Sequence, residues 1–145
     1  MSDPGIGGDA GPGKFGSHGN TNHYTFTDGA IYNGDLSTAR KAVGNPTPDT
    51  TAWNIVGVHS AAGAWSFWMN GTSIFSTGTN TVGFATVTQL GASNVTYWNG
   101  YIAEVILLSE VPSTDDRQKI EGYLAHKWGI ESVLDAGHPY KSSPP

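Results

Sequence analysis

The sequence predicts an all-β antiparallel sandwich closed by one C-terminal α-helix, and three observations carry that reading. The chain has 145 residues, 20 of them glycine, and only 13% charged residues; abundant Gly, Thr, Ser and Asn suit many short strands joined by tight turns. Asn70-Gly71 separates two alternating runs, a strong short-range hairpin signal. Residues 113–129 carry helix start and stop signals around residues of helical spacing. The length suits one domain, and 37% hydrophobic with 11% aromatic residues can build a core, which excludes global disorder.

Residues 1–22 hold seven glycines and two prolines and read as a flexible N-terminal arm, or as an arm that orders against a neighbouring subunit. The sandwich domain is expected over 23–145. His23 to Thr27 alternates and ends at Asp28-Gly29, a turn pair; Ala30 to Asn33 follows, then Gly34-Asp35. Arg40 to Val43 reads as a short edge strand stopped by Gly44-Asn45-Pro46. Trp53 to His59 reads as a strand centred on Ile55 and Val56. Ala64 to Met69 and Thr72 to Ser76 form the hairpin, with Trp65, Phe67 and Met69 on the core face and Trp68 on the other. Val82 to Leu90 alternates weakly, and Val95 to Trp98 leads into Asn99-Gly100.

Tyr101 to Leu108 is apolar on both faces, as in a strand covered on both sides, and the helix that follows is the available cover. Ser113 is placed to cap that helix over about 113–128, with Asp116 as the return partner and Asp115 beside it in the first turn. Ile120, Tyr123, Leu124 and Trp128 form its apolar stripe, and Gly129 stops it. Residues 130–145 read as a proline-held extended tail.

The net charge of −5 and pI near 5.3 argue against nucleic acid or an anionic membrane as partner. No run of residues is long and apolar enough for membrane insertion, and the first residues have no apolar core of a signal peptide. With no cysteine there is neither a disulfide nor a thiolate metal site. The histidines at 18, 23, 59, 126 and 138 show no zinc spacing; no Ser-His-Asp set and no phosphate loop is legible. Trp68, Tyr97 and Trp98 lie near Asn70, Asn94 and Asn99, so Trp68, Asn70, Tyr97 and Trp98 are the candidate carbohydrate-binding residues; the same aromatics would equally cover the helix or a subunit interface.

Several stretches resemble one family. Asn99-Gly100-Tyr101-Ile102-Ala103-Glu104-Val105 resembles a strand of laminin-G-like, concanavalin A-like lectin/glucanase domains. The run from Asp116 to Gly129 resembles the helix that closes their bacterial and phage branch. His138-Pro139-Tyr140-Lys141 with Pro144-Pro145 resembles that branch's ending, and Trp68-Met69-Asn70-Gly71 resembles its hairpin. The likeness is strong from about residue 95 and weak before 50. It implies a jelly-roll sandwich. About seven strands are readable, fewer than a full jelly roll uses, so the domain is either shortened or completed by a neighbouring chain. Open edges favour assembly.

Members of this branch are frequent in phage tail fibres, tail tips and other virion components. The resemblance therefore implies a virion structural or adhesion protein made in the host cytoplasm. Its expected partners are other virion proteins, copies of itself and a host-surface glycan; the alternative is a stand-alone carbohydrate-binding module. A degenerate glucanase is the weaker reading, because Glu104 lacks the closely spaced acidic partners of the catalytic strand, so no enzyme is expected. Glu104 itself is expected to be a half-buried carboxylate bonded to a backbone N–H, a Trp or a Lys on the helix side. No cofactor is required. Calcium, common in related loops, is the one ion that Asp28, Asn33 and Asp35 would suit, although ordinary turn chemistry also accounts for them.

Overall fold

The computed structural model describes residues 11–94 and 96–145. Among them the chain is β-rich, its strands gathered in small antiparallel sheets, with one long helix. The largest sheet has three strands, β4 (Val56–Ala61), β5 (Ala64–Met69) and β6 (Thr72–Thr77), in that spatial order. The other pairs are β1 (Gly13–Lys14) with β7 (Gln89–Leu90), β2 (Ile31–Asn33) with β3 (Lys41–Gly44), and β8 (Ala92–Ser93) with β9 (Thr96–Tyr97). Because β5 is central, β4 and β6 each keep one edge without a strand partner among the described residues.

The β5–β6 hairpin forms as the sequence predicts. Asn70 and Gly71 both take positive φ, 55° and 88°, and Met69 pairs directly with Thr72. Trp65, Phe67 and Met69 alternate onto one face and are fully buried with Tyr24, Ile31 and Val43, forming the main core. A Cβ on Gly71 would lie 2.9 Å from the His138 ring in addition to meeting the positive φ. Gly71→Ala is therefore expected to lower stability by about 1–2 kcal/mol, read by urea denaturation.

The helix α1 (Thr114–Trp128) is also where it was expected. Ser113 accepts from the Asp116 backbone N–H at 3.1 Å, and Gly129 ends the helix in the left-handed region. Asp116 does not return to the backbone of Ser113; its carboxylate accepts from the Ser113 hydroxyl at 2.7 Å. The most buried helix face is Arg117, Glu121, Gly122 and Ala125, not the stripe of Ile120, Tyr123, Leu124 and Trp128. The tail is the reason. It turns back through a short 3₁₀ turn at Glu131–Val133 and lays His138 on Glu121 and Tyr140 against Gly122, where a Cβ would come within 2.5 Å of the tyrosine Cβ. Ile55, Ala125 and Leu134 make a second core there.

Three expectations are corrected. Residues 11–22 are not a flexible arm but part of the fold; residues 1–10 lie outside the described residues. Glycine lets this segment pack by backbone, and Asn22 ties it down. Its amide donates to the Gly13 carbonyl at 3.0 Å and the Asp35 carboxylate at 2.9 Å, and its oxygen accepts from Gly34 N–H at 3.0 Å. Residues 23–27 supply one bridge, His23 to Tyr32, before a turn, not a full strand. Tyr101 to Leu108 joins no sheet, and its apolar side chains are exposed, Tyr101 at 81% and Leu107 at 65%. Without strand pairing the segment runs along the rim of a cleft that it shares with β4 and the helix.

His18 is buried in the packed segment, its ring nitrogens without a well-formed hydrogen bond. Burial first, then the charges of Lys14, Arg40 and Lys41, lower its pKa to about 4, against a weak opposing contact from the Asn20 backbone. The folded value lies below the unfolded value of 6.5, so stability is intact above pH 6.5 and is lost as pH falls towards 4. Denaturant midpoints are expected to fall between pH 7 and pH 5, and His18→Gln to flatten that slope; an unchanged slope would contradict the assignment.

Candidate functional site

A cleft of about 570 Å³ lies between the free edge of β4, the helix and residues 101–111. Val58 and Phe67 stand on one wall, Ile120, Leu124 and Trp128 on another, and Ile102 and Ile106 along the rim. Ile120, Leu124 and Trp128 of the helix line this cleft together with Arg117 and Glu121. The cleft thus presents apolar side chains beside unpaired strand backbone. That combination binds extended polypeptide: main-chain bonds supply affinity and side-chain pockets supply selection.

The rim is pinned at Glu104. Its carboxylate accepts from Trp128 Nε1 at 3.0 Å, from Lys127 Nζ at 3.0 Å and, more loosely, from the Tyr123 hydroxyl at 3.4 Å. The Trp128 bond, then Lys127, holds its pKa below the usual carboxylate value. A carboxylate bonded to Trp and Lys on the helix side is what the sequence led us to expect.

In the wall of the cleft sits a buried cluster that sequence reasoning missed. Arg117 Nη1 donates to both Glu121 oxygens at 2.7 Å, and His138 Nε2 lies 3.0 Å from Glu121 Oε2. Tyr140 N–H donates to His138 Nδ1 at 3.2 Å, so the ring carries its proton on Nε2 and donates it to Glu121. The Arg117 guanidinium stacks over Trp68 at 3.9 Å. The only local signal was Arg and Glu four residues apart on a helix; the His138 contact needs the tail to fold back. Both Glu104 and Glu121 accept bonds from cationic side chains, Lys127 and Arg117.

The four candidate carbohydrate residues are not gathered. Trp68 lies on the outer face of β5, one side of its ring against Arg117, its Nε1 donating to Ser66 at 2.8 Å. Asn70 is buried and spent: its oxygen accepts from Ile55 N–H at 2.9 Å and its amide donates to Asn54 at 2.7 Å. Tyr97 is exposed on β9, while Trp98 packs against Tyr24 with centroids 5.7 Å apart. Trp68 does border a groove of about 410 Å³ with His59, Ser66, Ser73, Ser76 and Thr77. Burial, then Arg117, lowers the pKa of His59, against Glu121.

Of the calcium candidates, Asn33 and Asp35 are together and Asp28 is not with them. Asp28 closes its own turn, accepting from Ala30 N–H and the Tyr32 hydroxyl. Asp35 is half-buried and accepts from Phe15 N–H, Asn22 and Asn33 at 2.8 to 3.0 Å. Burial raises its pKa against those bonds. Its lone pairs face N–H donors, an arrangement that satisfies the carboxylate without a cation. Among the described residues no three His, Asp or Glu side chains gather to hold a metal ion, and no helix is long and apolar enough to cross a membrane.

No protein-family model, curated protein or solved structure matches the chain.

Proposed function

We propose that this chain is a non-catalytic assembly and recognition module of jelly-roll, concanavalin A-like type, serving in a phage virion as tail fibre, tail tip or capsid decoration. The observation that carries it is the open edge of β4 facing an apolar cleft rimmed by the exposed run Tyr101–Leu108. Exposed apolar surface beside a free strand edge is a liability in an isolated monomer and an asset in an assembly. The resemblance of residues 95–145 to the bacterial and phage branch supplies the virion setting. The partners are other virion proteins and further copies of this chain.

A second reading, recognition of a host-surface glycan, is favoured by the groove beside Trp68. An indole next to Ser66, Ser73, Ser76 and Thr77 offers the stacking and hydroxyl contacts a sugar takes. Asn70, Tyr97 and Trp98 drop out of that site.

The test is the mass of the purified chain by sedimentation over a range of concentration, together with antibody labelling of intact phage particles. Concentration-dependent association and a labelled particle surface are expected. A permanent monomer that leaves particles unlabelled but binds a glycan array would replace the assembly reading with the lectin one. Hydrolysis of a β-glucan, lost in Glu104→Gln, would overturn both.

A further inference from the structure

We infer that Lys14, Thr21 and Arg40 form a binding site for a phosphate group, apart from the cleft and independent of the assembly reading above. None of the three lines the cleft or the groove beside Trp68.

The charge distribution is the first observation. The chain carries seven Lys and Arg residues and a net charge of −5. Arg117, Lys119 and Lys127 each meet a carboxylate, and Lys141 donates to carbonyls around the 3₁₀ turn. Lys14, Arg40 and Lys41 have no carboxylate partner among the described residues; their acceptors are amide, hydroxyl and carbonyl oxygens. All three stand close enough to His18 for their charges to act on its ring. Positive charge therefore gathers in one corner of an acidic protein. Asp35, the carboxylate tied to this segment, is turned to the N–H donors of Phe15, Asn22 and Asn33. His18 itself is uncharged near neutral pH, its ring wedged where a Cβ on Gly16 or Gly34 would come within 2.9 or 2.6 Å of it.

The second observation is which donors are left. Lys41 is satisfied by the Ser37 hydroxyl, the Ala39 carbonyl and Asn80. Lys14 and Arg40 are not. Lys14 is only 9% exposed, and its ammonium meets the Asn94 side-chain oxygen alone. Arg40 donates from Nη1 to the Thr21 carbonyl at 2.7 Å, with its guanidinium 5.0 Å above the Tyr32 ring. The rest of its fork has no acceptor within the chain. Asn94 connects the two cations, because its amide donates to the Thr21 hydroxyl at 3.2 Å. Thr21 thus has Arg40 at its carbonyl and the Asn94–Lys14 pair at its hydroxyl. That hydroxyl only accepts, so its own hydrogen is free to donate.

The chemistry follows from these donors. A buried ammonium answered by one neutral oxygen is costly, and an anion is the group that relieves it. Two cations and a hydroxyl around one residue suit the two charges and three oxygens of a phosphate monoester better than the single charge of a carboxylate. Arg40 supplies a fork, Lys14 a point charge and Thr21 a neutral donor. The site is a product of the fold. Lys14 lies in β1, Arg40 just precedes β3, and Asn94 turns at φ 57° after β8. They meet because residues 11–22 pack into the protein.

The test is calorimetric titration of the full chain with inorganic phosphate and with glycerol 1-phosphate, ionic strength being held constant with sodium chloride. At about pH 8 both ligands are largely dianions. Saturable binding is expected, with amide shifts in nuclear magnetic resonance spectra centred on Lys14, Thr21, Arg40 and Asn94. Arg40→Gln should weaken binding by about tenfold or more, the scale of a lost charge-assisted bond. Thr21→Val keeps both charges and should weaken it by about threefold. Lys119→Gln, at an exposed cation on the helix, should leave it unchanged. Phosphate should also raise the thermal midpoint of the unmodified chain and not that of Arg40→Gln. Equal affinity for ion and ester would identify the group as part of a larger molecule, and preference for the ion would identify free phosphate; either supports the site. No saturable binding of either ligand, or equal losses in Arg40→Gln and Lys119→Gln, would overturn it. Should Arg40→Gln not fold, Thr21→Val decides, and unchanged affinity there would overturn it too. Neither readout depends on association of the chain.

Discussion

Replacing Glu121 with glutamine is expected to destabilise the fold by about 3–5 kcal/mol, the range for breaking a buried ion pair by removing one partner. Thermal midpoint should fall by about 10 °C. The carboxylate accepts two bonds from Arg117 and one from His138, and all three residues are buried. With an amide in its place, Arg117 keeps its charge beneath Trp68 and loses its counterion, while the tail loses its anchor on the helix. An internal control lies on the same helix. Lys119 and Asp115 form an exposed pair with the same i, i+4 spacing, and Asp115→Asn should change stability by less than about 1 kcal/mol. Equal effects at the two sites would refute the claim that burial sets the size of the first.

Trp65→Ala is expected to cost at least as much. The side chain is 2% exposed at the centre of the main core, stacked on Phe67 and edge-on to Phe75. Its Nε1 donates to the Asp35 carbonyl at 3.0 Å, joining the hairpin to the segment around Asn22 and Asp35. Truncating a buried large aromatic costs about 3–5 kcal/mol, and the orphaned carbonyl adds to that. Against a net stability of roughly 5–15 kcal/mol, the variant should be substantially unfolded at 37 °C. Trp65→Phe keeps most of the burial and loses only the hydrogen bond, so it should remain folded. Near-ultraviolet circular dichroism and urea titration separate the two outcomes.

What was legible in the sequence was local. Asn70-Gly71 fixes a turn by its own backbone preferences, and the alternation of Trp65, Phe67 and Met69 fixes which face is core. Ser113 and Gly129 mark the helix because caps act within a few residues. What escaped was decided by distant contacts. Glycine composition made residues 11–22 read as an arm, because composition cannot show that Asn22 will find Gly13, Gly34 and Asp35. The helix stripe was read from hydrophobicity, yet a tail returning through His138 and Tyr140 buries Arg117 and Glu121 instead. The apolar character of residues 101–108 was evident, but apolar character alone does not place a segment in a sheet, and these residues join none. The candidate sugar residues failed for the same reason: strand alternation would put Asn70 on the face of Trp68, but the turn, where its φ becomes positive, sends it inward.

The most direct test of the assembly account is sedimentation equilibrium of the unmodified chain beside a Leu107→Lys variant, which puts a charge on the exposed rim of the cleft. If the edge of β4 and its cleft are the assembly surface, the unmodified chain associates as concentration rises and the variant stays a monomer. Equal association of the two, or an unmodified chain that remains monomeric at every concentration, would contradict it.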